Sequence, residues 1–419
     1  MNEARMHARA SRLGPAFDLL ATYRPGGFFF ERSGLGVAGS GVAVSVRVDG
    51  GPERLLSLSR LVGEELARIG RDPRAPAPVA MVSIPFRDDL PIEATIPART
   101  AVRLERGQSW QIDVVAEGIA GPHLASDRWT GRGAPHDAFE DFQLRPDPEP
   151  DEYAEAVDRA TKRIRAGELR KVVLARSLLV DAGRTLDARQ LLWRVRAVDP
   201  DCFSFATPSS ASPAGGTLVG ATPELLVRRR GRVVEAVPLA GSAPRYGDPA
   251  RDRASADRLF DSAKDREEHA LVVADVAHVL SAFCDDLSYP HEPELLGTAN
   301  VWHLATPFRG RTHRATTGVL DLVAALHPTP AVCGTPREAA REVLEELEPI
   351  DRGGYAGPVG WVDADGDGEM AIALRCAEIT GTTARLFAGA GIVADSEPDA
   401  EVDETERKFR ALLDALRWG

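Results

Sequence analysis

Short apolar runs, each cut off by glycine or proline, recur from one end of this chain to the other. Between residue 15 and about residue 120 the clearest are "GGFFFERSG", "GVAVSVRV", "APVAMVSIPF" and "EATIPARTAVRLE". They return as "GTLVGATPELLVRRRGRVVEAVPLAG", "GPVGWVDADGDGEMAIALRCAEI" and "ARLFAGAGIV". Runs of this length and punctuation are strands. Helical periodicity is confined to a few segments. In "DPEPDEYAEAVDRATKRIRAGE", Ala154, Val157, Ala160 and Ile164 make an apolar stripe and Asp151 reads as the cap. Further long helices are expected over about 250–284, 336–348 and 399–417. The stretch "GPHLASDRWTGRGAPHDAF" has no periodicity and reads as a long surface loop. No internal repeat or low-complexity linker divides the chain. The expectation is therefore an α/β (α+β) fold in a single large domain over 1–419, with a strand-rich part (1–140) and a motif-bearing part (150–419).

Charge narrows the partners. Lysine and arginine number 51 against 63 acidic residues, a net charge of −12. That balance disfavours nucleic acid or an anionic membrane as the main partner, while leaving room for a small anionic substrate in a local cationic pocket. Four cysteines (Cys202, Cys284, Cys333, Cys376) stand far apart with no CxxC pair, which argues against a disulfide framework or a zinc site. The N-terminal residues lack the apolar core of a signal peptide, and no stretch has the ~18 apolar residues of a membrane span. A cytoplasmic protein is expected.

One strand carries an anomaly. In "LRKVVLAR" (169–176) an apolar run starts on Lys171, which by alternation shares a face with Val173 and Ala175. In an isolated strand this would be an edge lysine stretching to solvent.

Two motifs mislead. "GLGVAGSG" holds G-x-G-x-x-G at Gly34, Gly36 and Gly39, but the segment that follows alternates like a strand where a dinucleotide loop needs a helix. It reads as a hairpin. "DADGDGE" (363–369) imitates a calcium loop, yet Leu374 stands where the final glutamate belongs; it reads as an acidic turn. Two helices pair their carboxylates: Asp265 with Glu268, and Glu401 with Glu404, each three residues apart and so on one side, with Lys408 a turn further on. Alone, either helix is a solvated acidic face; together they could hold a hard cation such as magnesium.

The blocks "KVVLAR", "GATPELL", "PLAGSAPR", "AKDREEH", "VWHLATP", "HPTPAVCGTP", "YAGPVGW", "IALRCAEI", "LFAGAGIV" and "DETERK" occur in this order from about residue 150 onward. Taken together the chain resembles the chorismate-binding enzymes: isochorismate, salicylate, anthranilate and aminodeoxychorismate synthases. The resemblance implies large antiparallel sheets stacked in a sandwich with helices outside, and a cleft between a sheet and the two acidic helices. It gives Lys171 the role of general base for water addition, where the ammonia-using members carry glutamine. Glu224 matches the general acid that protonates the leaving hydroxyl, with Thr222 standing where serine often precedes the Pro-Glu pair. Glu268 and Glu404 match magnesium ligands, and Asp265 and Glu401 would act behind them or through water. His303 matches a histidine near the ring carboxylate. Tyr355 and Arg375 match residues that bind the enolpyruvyl carboxylate, joined by the backbone of Gly389, Ala390 and Gly391. Ala240, Gly241 and Ser242 line the ring side, and Lys408 balances the metal carboxylates.

Within the family, Lys171 points to the water-using branch. Ala331 and Val332 look like the small apolar pair of isochorismate synthases of the siderophore type, leading toward 2,3-dihydroxybenzoate. Salicylate synthases tend to carry a hydroxyl residue there. The expected activity is thus magnesium-dependent isomerisation of chorismate to isochorismate by a monomer. Salicylate formation, supply of menaquinone, and a catalytically silent chorismate-binding protein are the alternatives.

Overall fold

The computed structural model describes residues 5–14, 17–116, 142–209 and 215–417; the loop expected in "GPHLASDRWTGRGAPHDAF" lies outside them. Two large sheets dominate, and every pairing between their strands is antiparallel. One is twelve-stranded and runs from Met6–Arg12 at one side, through Leu35–Ser40, Phe28–Arg32, Phe203–Ser209, Gly216–Thr222, Cys376–Thr380 and Thr383–Ile392, to Lys171–Asp181. The other is nine-stranded and includes Leu225–Arg230, Gly368–Ile372, Pro358–Asp363 and Val79–Ser83. A three-stranded sheet (Leu239–Pro244, Val301–Ala305, Glu294–Gly297) completes the frame. Strands from before residue 120 and strands from after residue 200 are neighbours in both large sheets.

The main apolar core draws on both, with Phe30, Phe205 and Leu218 from the larger sheet and Val82, Leu226 and Met370 from the smaller. Leu218 and Val219, consecutive on one strand, face two different apolar clusters. The middle of the larger sheet is therefore covered on both sides, which explains why a strand such as Lys171–Asp181 reads as a near-continuous apolar run. The second cluster includes Leu386, Phe409 and Leu412, where the helix Pro398–Arg417 lies on the Thr383–Ile392 strand.

Two helix expectations need correction. The first helix of the motif-bearing part runs Pro150–Arg165. Pro150, which has no N–H to leave unpaired, opens it, and Glu149 is the capping position. Asp151 therefore sits inside the first turn, and the Glu152 side chain accepts from Glu149 N at 3.3 Å. The segment about 250–284 is two helices, Pro249–Asp261 and Ala263–Ser281. Ser262 between them is extended, and its hydroxyl accepts from Asp265 N at 3.2 Å. This serine cap restarts the helix so that Lys264 and Asp265 fall in its first turn.

Both misleading motifs are hairpins. Gly34, at φ +78°, turns the chain between Phe28–Arg32 and Leu35–Ser40. In the acidic turn Asp363 Oδ1 accepts from Asp365 N (2.8 Å) and Asp367 N (3.0 Å), while Arg71 grips Asp365 and Arg229 grips Asp367. These carboxylates are spent on the turn and on arginines.

Candidate active site

The site forms where the chain crosses from one sheet to another. Gly216–Thr222 lies in the larger sheet and Leu225–Arg230 in the smaller, with only Pro223 and Glu224 between them. Gly368–Ile372 and Cys376–Thr380 make the same crossing in reverse, and Arg375 is its last residue. The crossings are tied together: Ile372 N donates to Glu224 O at 3.2 Å, and Ala221 N to Arg375 O at 3.2 Å. Glu224 and Arg375 lie outside the strands on either side, and both line the space between the layers. Arg375 takes φ +48°, in the sparsely populated left-handed region, as the bend requires.

A cleft opens there. Its walls carry Glu224, Ala240, Gly241, Ser242, Glu268, His303, Ala331, Val332, Tyr355, Arg375, Gly389, Gly391, Glu404 and Lys408, all anticipated from the sequence. Four anticipated residues are not on the wall: Lys171, Asp265, Ala390 and Glu401. Ala390 is excluded by strand alternation, since Gly389 and Gly391 take the cleft side. Glu401 is buried and pairs with Lys264 at 2.6 Å.

Lys171 lies just behind the wall. It is fully buried, and Nζ stands 3.0 Å from Glu268 Oε1. The contact is an ion pair by distance, but the geometry is not that of a hydrogen bond, so the amine keeps unspent donors in a dry setting. Val173, two residues along on the same strand face, reaches the wall itself. The approach is kept open by Gly391, which pairs with Val173 across the strands. A Cβ there would stand 2.0 Å from Glu268 Oε1 and 3.0 Å from Lys171 Cε.

Glu224 has the opposite electrostatic setting. Burial pushes its carboxyl up to about 8, only partly offset by the charge of Lys171 and a hydrogen bond from the Leu239 backbone. Near neutral pH the protonated form predominates, as an acid requires. Thr222 Oγ1 accepts from Glu224 N at 3.3 Å, so the threonine keeps the hydroxyl that serine would have offered.

His303 is held neutral, its pKa driven well below the usual range by burial and then by the charge of Arg375. Its partners set the tautomer. Nδ1 stands 3.1 Å from Gly241 O, which can only accept, and Nε2 stands 2.8 Å from Arg375 Nη2, which can only donate. Nδ1 therefore carries the proton and Nε2 aims the guanidinium. Tyr355 stacks on Phe387, centroids 5.2 Å apart at 10°.

Glu268 and Glu404 are the two wall carboxylates a cation would meet. Burial works to raise Glu404, but Lys408, hydrogen-bonded to it at 2.6 Å, outweighs that and holds the carboxyl below its ordinary range. Lys408 also donates to Gly389 O at 2.7 Å. Asp265 is raised by burial first and by its neighbours Glu268 and Glu404, and Glu401 by burial and then Glu404. Two carboxylates, Glu268 and Glu404, thus stand on the wall at one end of the cleft with Asp265 and Glu401 behind them, and Lys171, Lys408 and Lys264 each pair with one of the four. Among the described residues no three acidic, His or Cys side chains converge as a complete cage. The arrangement fits magnesium, which takes one or two carboxylates and fills its shell with water and substrate oxygens.

The sequence reading missed Lys264, on the helix turn created by Ser262, and Arg352, which lines the cleft wall.

Residues 127–417 match the family described as chorismate binding enzyme. The chain is 36% identical over 404 residues to the isochorismate synthase DhbC of Bacillus subtilis, covering 96% of each chain. It is 41% identical over 269 residues to the isochorismate synthase EntC of Escherichia coli K12, covering 64% of this chain and 68% of that one. It superimposes on the crystal structure of DhbC from Bacillus anthracis with a TM-score of 0.82 at 34% identity, covering 96% of this chain and 99% of that one. With its fold, its ordered blocks and this match over more than half its length, the chain belongs to the chorismate binding enzymes.

Proposed function

We propose that this protein is an isochorismate synthase, converting chorismate to isochorismate with magnesium. The observation that carries the reading is the meeting at one cleft of a buried amine that makes no hydrogen bond, Lys171, with a carboxyl kept protonated near neutral pH, Glu224. Lys171, in its neutral form after passing on the proton it holds in the ion pair with Glu268, takes a proton from water as the water oxygen bonds to C2. The ring double bonds shift, the C4–O bond breaks, and Glu224 supplies the proton with which that hydroxyl leaves as water. One water enters and one leaves, so the product is an isomer. Arg375, aimed by His303, binds the enolpyruvyl carboxylate with its planar fork, and Tyr355 adds a hydroxyl. Glu268 and Glu404 would hold magnesium, which supplies a positive charge for the ring carboxylate.

Two further points support the choice within the family. Ala331 and Val332, both on the wall, offer no hydroxyl of the kind expected of salicylate synthases. Likeness to DhbC extends over nearly the whole of both chains, and the Bacillus anthracis protein bears the name 2,3-dihydroxybenzoate-specific, which favours a route toward that compound. The test is chorismate incubated with the purified protein, with and without magnesium, and the products separated by chromatography. Isochorismate formed only with magnesium is the expected result. Salicylate with stoichiometric pyruvate, beyond spontaneous decay, would transfer the reading to a salicylate synthase; no consumption would leave a binding protein.

A further inference from the structure

The guanidinium of Arg352 touches two separate walls of the cleft at once. It is 2% exposed. Nη2 donates to Val173 O at 2.7 Å, on the strand that begins with Lys171, and Nη1 donates to Val332 O at 2.8 Å, in the loop of Ala331 and Val332. Glu348 holds it in a fork, with Nε to Oε1 at 2.5 Å and Nη2 to Oε2 at 2.6 Å. The same carboxylate accepts from Ala175 N at 2.8 Å. The strand is thereby gripped through Val173 by the arginine and through Ala175 by its partner.

Other links between this strand and the loop are few. Gly334–Thr335 is a two-residue strand pairing with Lys171 and Val172, flanked by Arg170 N donating to Thr335 O and Val173 N to Cys333 O, each at 2.8 Å. So short a ladder is weak support for a wall that must sit at a set distance from a base. Stability alone does not account for the ion pair, because well-packed apolar residues hold a buried site as well as a desolvated pair does. A planar fork that reaches a carboxylate and two carbonyls at once is something only arginine offers. On its far side Arg352 is covered by the ring of Phe86, 4.2 Å from the guanidinium carbon.

We propose that Arg352, clamped by Glu348, is a positioning residue that sets the spacing between the Lys171 strand and the Ala331–Val332 wall, and through it the alignment of base and substrate ring. The kinetic part rests on the isochorismate synthase reading; the clamp itself does not.

The test uses Arg352→Lys and Glu348→Gln in the full chain, with two readouts. The first is kcat and KM for isochorismate formation. Because Arg375 and Tyr355 still bind the substrate, kcat should fall at least about ten-fold in Arg352→Lys while KM stays within roughly three-fold. Glu348→Gln should move the same way by less. The second is amide exchange, which should quicken in 171–175 and 329–335 and stay unchanged in the distant strand Ser109–Ala116. Should Arg352→Lys fail to fold, Glu348→Gln carries both readouts. Unchanged kcat with unchanged exchange would overturn the proposal. So would exchange that quickens everywhere together with a matching loss in kcat and KM, since that is general destabilisation. If the wild type does not make isochorismate, the functional reading fails, and exchange alone then decides the clamp.

Discussion

Lys171 Nζ lies 3.0 Å from Glu268 Oε1, with the two side chains 1% and 11% exposed. The proposed base and a proposed metal ligand are therefore electrostatic partners before any substrate or cation arrives. In so dry a setting neither charge can be removed without exposing the other.

Lys171→Ala is expected to retain the fold but lose hydration of chorismate, by the ~10²–10⁴-fold typical of a general base. Leaving Glu268 unpaired should also lower stability, by about 3–5 kcal/mol for a buried pair broken on one side. Magnesium should recover part of that loss by giving Glu268 a new partner. Turnover assays and thermal melts with and without magnesium check both parts; near-normal turnover would remove Lys171 from the base role.

Glu224 sets a pH limit. With its carboxyl pushed up to about 8, activity that needs the proton should decline as pH rises through that value. Stability shifts in the same direction. The folded state holds a proton that the unfolded chain releases near the ordinary glutamate value, so this contribution is full below about 4.5 and is lost as pH rises toward 8. Glu224→Gln should flatten the melting temperature over that window and cut kcat by roughly 10²–10⁴-fold. A pH–rate profile and melts at several pH values decide the matter, and a basic limb that survives in the variant would count against the assignment.

Gly391→Ala places a methyl group 2.0 Å from Glu268 Oε1. The Glu268 carboxylate must then leave its present place beside Lys171. Activity should fall sharply, with a stability cost of about 1–3 kcal/mol from overpacking. Gly381→Ala makes a poor control because of its φ of +59°, whereas Gly63→Ala, with open space around its Cβ, should be harmless.

Glu404→Gln removes one of the two wall carboxylates. Magnesium affinity, read by calorimetry independently of turnover, should weaken at least about ten-fold, the loss that removing even an outer-shell partner brings. An unchanged titration would contradict the assignment of Glu404.

Much of the site was legible because the residues that carry charge into an apolar setting stand out locally. Lys171 breaks an apolar run, Glu224 follows a proline that ends a strand, and the paired glutamates repeat at helical spacing. What escaped depends on long-range packing. The resemblance puts Lys171 in the cleft, yet it lies just behind the wall, 3.0 Å from Glu268, a wall residue 97 positions away in the chain. Arg352 looks like part of a glycine-rich turn until the fold brings Val173 and Val332 to it. Ser262 was hidden inside an apolar and acidic pattern long enough to pass for one helix.

The sequence by itself determined the local terms: which segments are strands, that charge and cysteine spacing disfavour nucleic acid and zinc, and the order of blocks that identifies the family. Those follow from periodicity, side-chain chemistry and turn residues, which act over a few positions. Tertiary structure decided the rest. Only the stacking of two sheets brings the crossings at Glu224 and Arg375 together, buries Glu224 enough to keep its proton, and sets a lysine from one strand against a glutamate from a distant helix. Burial and Coulomb energies depend on distance in space, and no pattern along the chain encodes them alone.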